Sequence, residues 1–146
     1  MNTPDAARRA QQQDRYFEHG ADIGVIGRGP TVDAAFEAAA EATFAIQADL
    51  AQVHRIIIVP VQFEEGDLEL ALVRWLNSLL SAARCEGAIL AKFWLRHEGT
   101  GWTGGASGEP WSNAHERGTE VKGATLTALS VRRVGSLWEA RCVVDV

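Results

Sequence analysis

Residues 67–87, DLELALVRWLNSLLSAARCEG, carry the clearest secondary-structure pattern in the chain. Apolar side chains recur at every third or fourth position, which is the spacing of one face of an α-helix. These apolar positions are Leu68, Leu72, Trp75, Leu76, Leu79, Leu80 and Ala83. Asp67 has the side chain of an N-cap, and Gly87 suits the left-handed residue that follows a helix. We therefore predict a helix from Leu68 to about Cys85.

Strands are predicted on both sides of this helix. The run Val53–Glu64 is rich in β-branched residues, and Pro60 within it favours an edge strand or a bulge. Ala88–Glu98 follows the helix as another strand-like run. Further upstream, apolar residues from Arg15 to a turn at residues 27–30 predict the first strand.

A second helix is predicted between the first two strands. Thr31 has the side chain of an N-cap, and apolar residues then recur at close to helical spacing from Val32 to about Asp49. The order β-α-β-α followed by further strands predicts an α+β fold, in which a mixed β-sheet carries both helices on one face.

Residues 99–108 contain five glycines around Trp102. A glycine-rich loop can bind phosphate, but this one lacks the Gly-Lys-Ser/Thr ending and a following helix. We therefore expect a hairpin turn here. After a loose stretch, Thr119–Val134 and Leu137–Val146 are predicted to form a C-terminal hairpin, because the residues between them, 135–136, suit a two-residue type II′ turn.

This turn predicts a register for the last two strands, with Arg132 opposite Glu139 and Leu126 opposite Asp145. The core-like face then carries Trp138, Ala140, Cys142 and Val144. Asp145 points to the other face.

Two anionic groups are expected at the end of the last strand, the Asp145 side chain and the terminal carboxylate of Val146. A nearby cation would relieve the repulsion between these two groups. Hard divalent ions such as Mg²⁺, Ca²⁺ or Mn²⁺ bind carboxylate oxygens. On spacing alone, however, a solvated strand-end acid is the simpler interpretation of Asp145. His19 and Asp22 form an HxxD pair in the first strand, which by itself is equally weak evidence for a ligand site.

Other candidate chemistry is sparse. Lys122, with Glu120 beside it, has the charge to bind a phosphate or a partner carboxylate, although an ordinary surface salt bridge explains it as well. The acidic corner at residues 64–67 is best interpreted as a capped, solvated turn. No serine-hydrolase or zinc-protease motif is present.

The composition predicts one globular domain over residues 15–146, preceded by a frayed or disordered tail over residues 1–14. The net charge of −5 argues against non-specific electrostatic binding of nucleic acid or membrane by the whole surface, and it is compatible with a local basic patch. With no transmembrane helix and no secretory signal pattern, we expect a cytoplasmic protein. Cys85 and Cys142 are interpreted as reduced core residues.

Several short segments, in a fixed order, carry a family signal: Tyr16–Asp22, Val73–Leu80, Glu86–Gly87, Lys92–Phe93, His115, Gly118–Thr125 and Trp138–Val146. Together they resemble the archease family, the small accessory proteins of RtcB-type RNA ligases. The chain departs from many relatives at Leu126 and Thr127, where those relatives have a Tyr-His pair.

The resemblance implies a divalent-metal site made by Asp22 and Asp145 and completed by the Val146 terminus. It also implies a surface that faces the partner. We expect that surface to include His19, Glu120 and Lys122.

The function implied by the resemblance is activation of an RtcB-type ligase in tRNA splicing or RNA repair. The protein would promote guanylylation and multiple turnover of the ligase without being an enzyme, and would reach RNA only through the ligase. The alternatives are a chaperone-like adaptor for an RNA-modifying enzyme such as a tRNA methyltransferase, and a small metal-dependent phosphohydrolase.

Overall fold

The structure, a computed structural model, describes residues 14–146, so the tail that we predicted lies outside the described residues apart from Asp14. The elements are β1 (Tyr16–His19), β2 (Asp22–Gly29), α1 (Val32–Ala45), β3 (Ile57–Glu64), α2 (Leu68–Glu86), β4 (Ala88–Glu98), β5 (Gly101–Pro110), β6 (Gly123–Ala124), β7 (Ser130–Val134) and β8 (Leu137–Asp145).

The strands form two sheets. One has the order β1-β2-β8-β6, with β7 also paired to β8, and the other has the order β3-β5-β4. The pairings within residues 14–146 are antiparallel. The α+β class with two helices and C-terminal strands is thus confirmed, with the strands divided between two sheets.

The core lies where the two helices meet the sheets. Helix α1 packs on β2 and β8 of one sheet and on β4 of the other, and α2 packs on β3 and β6. Phe36, Phe44 and Trp75 are fully buried here. The Trp75 indole donates a hydrogen bond of 2.9 Å to the Phe36 carbonyl, which satisfies its polar atom inside the core.

The predicted helix caps are confirmed. Thr31 accepts from the Ala34 amide, Asp67 accepts from the first-turn amides of α2, and Gly87 ends α2 with a φ of 59°. Helix α1, however, ends at Ala45 rather than near Asp49. The two carbonyls that follow, on residues 46 and 47, accept hydrogen bonds from the amides of residues 119 and 118, so they anchor a loop instead of continuing the helix.

The first predicted strand is a hairpin. The chain turns at Gly20, whose φ of 61° is left-handed, and Ala21, so that His19 pairs with Asp22. A single strand from Arg15 was therefore wrong, because the polar and small residues at this turn interrupt the ladder.

The glycine-rich segment is also different from the expected turn. Only Gly99 and Thr100 form the turn, and the following glycines lie in β5, the central strand of the three-stranded sheet. A Cβ at Gly104 or Gly108 would clash with a carbonyl oxygen of β4. Glycine is thus needed because the neighbouring backbone approaches closely. As expected from Pro60, β3 is an edge strand.

The C-terminal hairpin forms with Arg132 opposite Glu139, as predicted. The pairing of Leu126 with Asp145 was wrong, because Gly123 lies opposite Asp145. Between β6 and β7 the chain leaves the ladder, and Ala128 adopts a left-handed φ of 52°. The expected strand from residue 119 to 134 is therefore divided in two.

The two cysteines have different environments. Cys142 is buried in β8, as predicted, whereas Cys85 is exposed near the end of α2 and is not a core residue. Among the helices of residues 14–146, none is long and apolar enough to cross a membrane.

Candidate metal site at the ends of two strands

Asp22 and Asp145 lie at the same edge of the five-stranded sheet. Asp22 begins β2 and Asp145 ends β8, and these antiparallel strands are paired up to Ile23 opposite Val144. One further step in this register brings the two aspartates opposite each other. The Val146 amide donates a hydrogen bond of 3.3 Å to Asp22 Oδ1, which ties the two strand ends together.

The acidic pair is accessible from solvent. Asp145 is exposed, and Asp22 and Val146 are half-buried. His19 lies across the β1–β2 hairpin from Asp22, so its side chain and that of Asp22 lie on the same face. The hairpin thus places a histidine beside Asp22.

Lys122 borders the pair on the other side. Its amide donates a hydrogen bond of 2.8 Å to the Asp145 carbonyl, and its side chain is exposed. The structure therefore brings Asp22, Asp145, Val146, His19 and Lys122 to one edge. A cation beside paired carboxylates reduces their repulsion.

Glu120 lies apart from this group. It lines a groove of about 370 Å³ between the end of α2 and the loop before β6. Arg84, Trp111 and Arg117 line the same groove. Of the three residues expected on the partner-facing surface, His19 and Lys122 adjoin the acidic pair and Glu120 does not.

Three residues that the sequence did not indicate hold the segment next to Asp145. The Asn77 side chain forms hydrogen bonds with both main-chain polar groups of Ala124. The side-chain oxygen of Gln47 accepts a hydrogen bond of 3.0 Å from the amide of residue 121. Arg84 donates a hydrogen bond of 2.7 Å to the Lys122 carbonyl. Asn77 stands in a segment with family resemblance, but its partner is 47 residues away. Nothing in the local pattern indicates such a contact.

The donor set fits a hard divalent cation. Within residues 14–146, no three His, Cys, Asp or Glu side chains converge as a metal-binding group. Two carboxylates remain, together with main-chain oxygen and water. Mg²⁺ commonly keeps several waters and takes one or two carboxylates from the protein, so this chemistry suits it.

Residues 15–146 match the family model described as the Archease protein family (MTH1598/TM1083). The chain belongs to the archease family. The matched range includes both aspartates and every strand that borders them.

Archeases from two archaea illustrate the relationship. Protein archease of Sulfurisphaera tokodaii is 35% identical over 138 residues, which cover 92% of this chain and 99% of that protein. Protein archease of Pyrococcus furiosus is 31% identical over 141 residues, with the same coverages of 92% and 99%.

Two solved structures share the archease fold. The solution structure of Methanobacterium thermoautotrophicum protein 1598 matches with a TM-score of 0.77 and 28% identity, covering 90% of this chain and 97% of that one. The crystal structure of a Thermotoga maritima archease, described as a possible chaperone, matches with a TM-score of 0.62 and 18% identity, covering 89% and 94%.

Proposed function

We propose that this protein activates an RtcB-type RNA ligase, through a divalent cation held at the Asp22–Asp145 edge. The observation that carries the proposal is the meeting of these two carboxylates at adjacent strand ends in a member of the archease family. The protein is an accessory factor in this proposal, and the ligase carries the covalent nucleotide chemistry.

The surroundings of the acidic pair support a role at a partner surface. The pair is open to solvent and is flanked by His19 and Lys122, so a partner can reach it directly. The net charge of −5 favours docking on a basic cleft of the partner over non-specific binding of RNA by the whole surface. A bound cation would supply positive charge that neutralises nucleotide phosphates.

Asp22, Asp145 and Val146 would hold the cation, while Lys122 adds a second positive charge at the same edge. Asn77, Gln47 and Arg84 would act as positioning residues, because they fix the segment that carries Lys122. The proposed compartment is the cytoplasm, with which the free thiols Cys85 and Cys142 are compatible.

The test is multiple-turnover RNA joining by the ligase from the same source, with GTP and Mn²⁺ or Mg²⁺. Wild-type protein in catalytic amounts is expected to stimulate the reaction, and Asp22→Asn and Asp145→Asn to lose that stimulation. Glu86→Gln is the control, because it removes the same charge from an exposed site at the end of α2. Calorimetric titration with Mn²⁺ measures cation binding by the same four proteins.

The outcomes separate the candidate functions. Stimulation that survives both aspartate substitutions, in folded proteins, would exclude the cation mechanism and favour the chaperone-like adaptor. Absence of stimulation by the wild type would exclude ligase activation itself. Hydrolysis of a simple phosphoester by the protein alone, abolished by Asp145→Asn, would indicate the phosphohydrolase instead.

A further inference from the structure

The outer face of the three-stranded sheet, on the side away from the helices, presents a tryptophan between two cations. Along β4, Phe93 and Leu95 point inward and are buried. Lys92, Trp94 and Arg96 point outward, and Trp94 is 38% exposed. Successive outward residues on a strand are about 6.5 Å apart, so each cation lies one such step from the indole.

The indole of Trp94 lies over a glycine. Gly105 is opposite Trp94 on β5, and Pro60 is opposite Gly105 on β3. A Cβ at Gly105 would lie 3.1 Å from Trp94 Cζ2, which shows how closely the ring covers this position. Because no side chain rises from Gly105, the ring lies low across the sheet and its exposed part remains accessible.

Small side chains flank Gly105 on this face, where Thr103 is exposed and Ser107 is buried. Ser107 is opposite Lys92, and Thr103 is opposite Arg96. On the β3 side of the same face, Ile58 is 70% exposed and adds apolar surface opposite Ser107. We call the face formed by Lys92, Trp94, Arg96, Ser107, Gly105, Thr103, Ile58 and Pro60 the outer platform.

The two cations of the outer platform are available to a ligand. Neither Lys92 nor Arg96 takes part in an ion pair with any residue in the range 14–146. The acids of this face lie at its two ends, Glu64 and Glu98 near the β4–β5 turn and Glu109, which is bonded to His54 and His115, beyond Ser107. Positive charge is therefore concentrated beside the indole, although the whole chain is acidic.

We propose that the outer platform binds single-stranded RNA, with a base stacked on Trp94 and phosphates at Lys92 and Arg96. Sheets that carry exposed aromatic side chains flanked by cations recognise unpaired nucleotides in this way, since every base has a face that can stack. This is a direct contact with RNA on a different surface from the acidic pair. It goes beyond the proposed function, in which RNA is reached through the ligase.

The experiment measures fluorescence anisotropy of a labelled oligouridylate of about ten nucleotides, with the whole protein, a chelator and no ligase. Omitting metal and ligase makes its outcome independent of the proposed function. Binding is expected at about 50 mM salt and should weaken at about 200 mM. Trp94→Ala should lower the affinity by about 5- to 150-fold, as loss of base stacking does, and Trp94→Phe should retain most of it.

A double variant tests the electrostatic contribution to RNA binding. Lys92→Ala with Arg96→Ala should reduce the slope of log affinity against log salt by about 1.4, from about 0.7 for each phosphate contact. The charge control is Arg132→Ala with Arg133→Ala, on the exposed part of β7, which should leave the slope unchanged. Leu137→Ala, 39% exposed in the wild type, is the apolar control for Trp94.

Three results would overturn the proposal. One is absence of oligouridylate binding at the lower salt. Another is equal binding of single-stranded and duplex RNA that Trp94→Ala does not change. In the third, the control substitutions lower the affinity as much as Trp94→Ala does, so that binding does not depend on the outer platform.

Discussion

Asn77 holds Ala124 by both of its main-chain polar groups. The Asn77 side-chain oxygen accepts a hydrogen bond of 2.8 Å from the Ala124 amide, and its NH₂ group donates one of 3.2 Å to the Ala124 carbonyl. Ala124 follows Gly123, which lies opposite Asp145. A polar side chain on α2 therefore fixes the strand that borders the acidic pair.

Replacing Asn77 with Ala should lower both stability and cation affinity. Two hydrogen bonds are lost at a half-buried site, so the free energy of unfolding should fall by about 1–3 kcal/mol. Urea denaturation measures this change. Calorimetric titration with Mn²⁺ should show weaker binding, because the segment beside Asp145 is no longer held.

Two variants control this prediction. Asn77→Asp keeps the acceptor for the Ala124 amide and loses the donor, so it should fall between Asn77→Ala and the wild type. Ser78→Ala changes the adjacent residue of α2 and should be close to the wild type. Equal unfolding curves for Asn77→Ala and Ser78→Ala would show that the Asn77 hydrogen bonds contribute nothing to stability.

The N-cap of α2 is a second target. Asp67 Oδ1 accepts from the amides of Glu69 and Leu70, at 2.8 and 3.1 Å. Asp67→Ala leaves both amides without this partner and should cost about 1 kcal/mol, or a fall in Tm of about 2–4 °C. Asp67→Asn keeps an acceptor and should preserve most of the Tm. Equal melting temperatures for the Ala and Asn variants would contradict this role.

The two cysteines should differ sharply in reactivity. Burial raises the pKa of the Cys142 thiol to about 12, so at neutral pH it is neither ionised nor accessible. Iodoacetamide should therefore add one label to the native protein, at the exposed Cys85, and two after denaturation. Intact-mass spectrometry counts the labels. The native Cys85→Ser variant should incorporate no label. A label on this variant would lie on Cys142 and would show that β8 opens.

Glu109 should contribute stability that depends on pH. A hydrogen bond from the His54 amide, together with one from the His115 ring, lowers the pKa of Glu109 from 4.5 to about 2. Because the folded state holds this proton less tightly, the contribution is fully present above pH 4.5, and it is lost as the pH falls through about 2.

Glu109→Gln should accordingly unfold at lower urea concentration than the wild type at neutral pH, and this difference should shrink between pH 4.5 and about 2. The control is His54→Ala, which keeps the main-chain amide that Glu109 accepts from. It should retain most of the pH dependence. A difference between Glu109→Gln and wild type that is constant with pH would refute the assignment.

Features of the fold that depend on near neighbours in sequence could be predicted. The caps at Thr31, Asp67 and Gly87 involve residues within one helical turn, and all three are confirmed. The β5 strand could not be predicted in this way. Its glycines are explained by backbone atoms of β4 that come close only in the folded sheet, so the sequence pattern resembled a loop.

The candidate site shows the same division. The resemblance indicated Asp22 and Asp145, and the β2–β8 pairing places them together. The register predicted from the hairpin turn was wrong at Leu126, because it assumed an unbroken ladder and the chain leaves the ladder between β6 and β7. The support from Asn77 connects a helix to a strand far along the chain, and no local pattern encodes such a contact.

Asp22 opens β2 and Asp145 closes β8, so the two carboxylates come from segments near opposite ends of the described chain. In a nascent or damaged chain whose β8 strand is not yet paired with β2, Asp22 and Asp145 are not brought together. The cation binding that we propose at this edge would therefore be linked to completion of the fold, and a bound cation would add to its stability. A ligase that responds to this edge would respond only to intact, fully assembled copies of its activator.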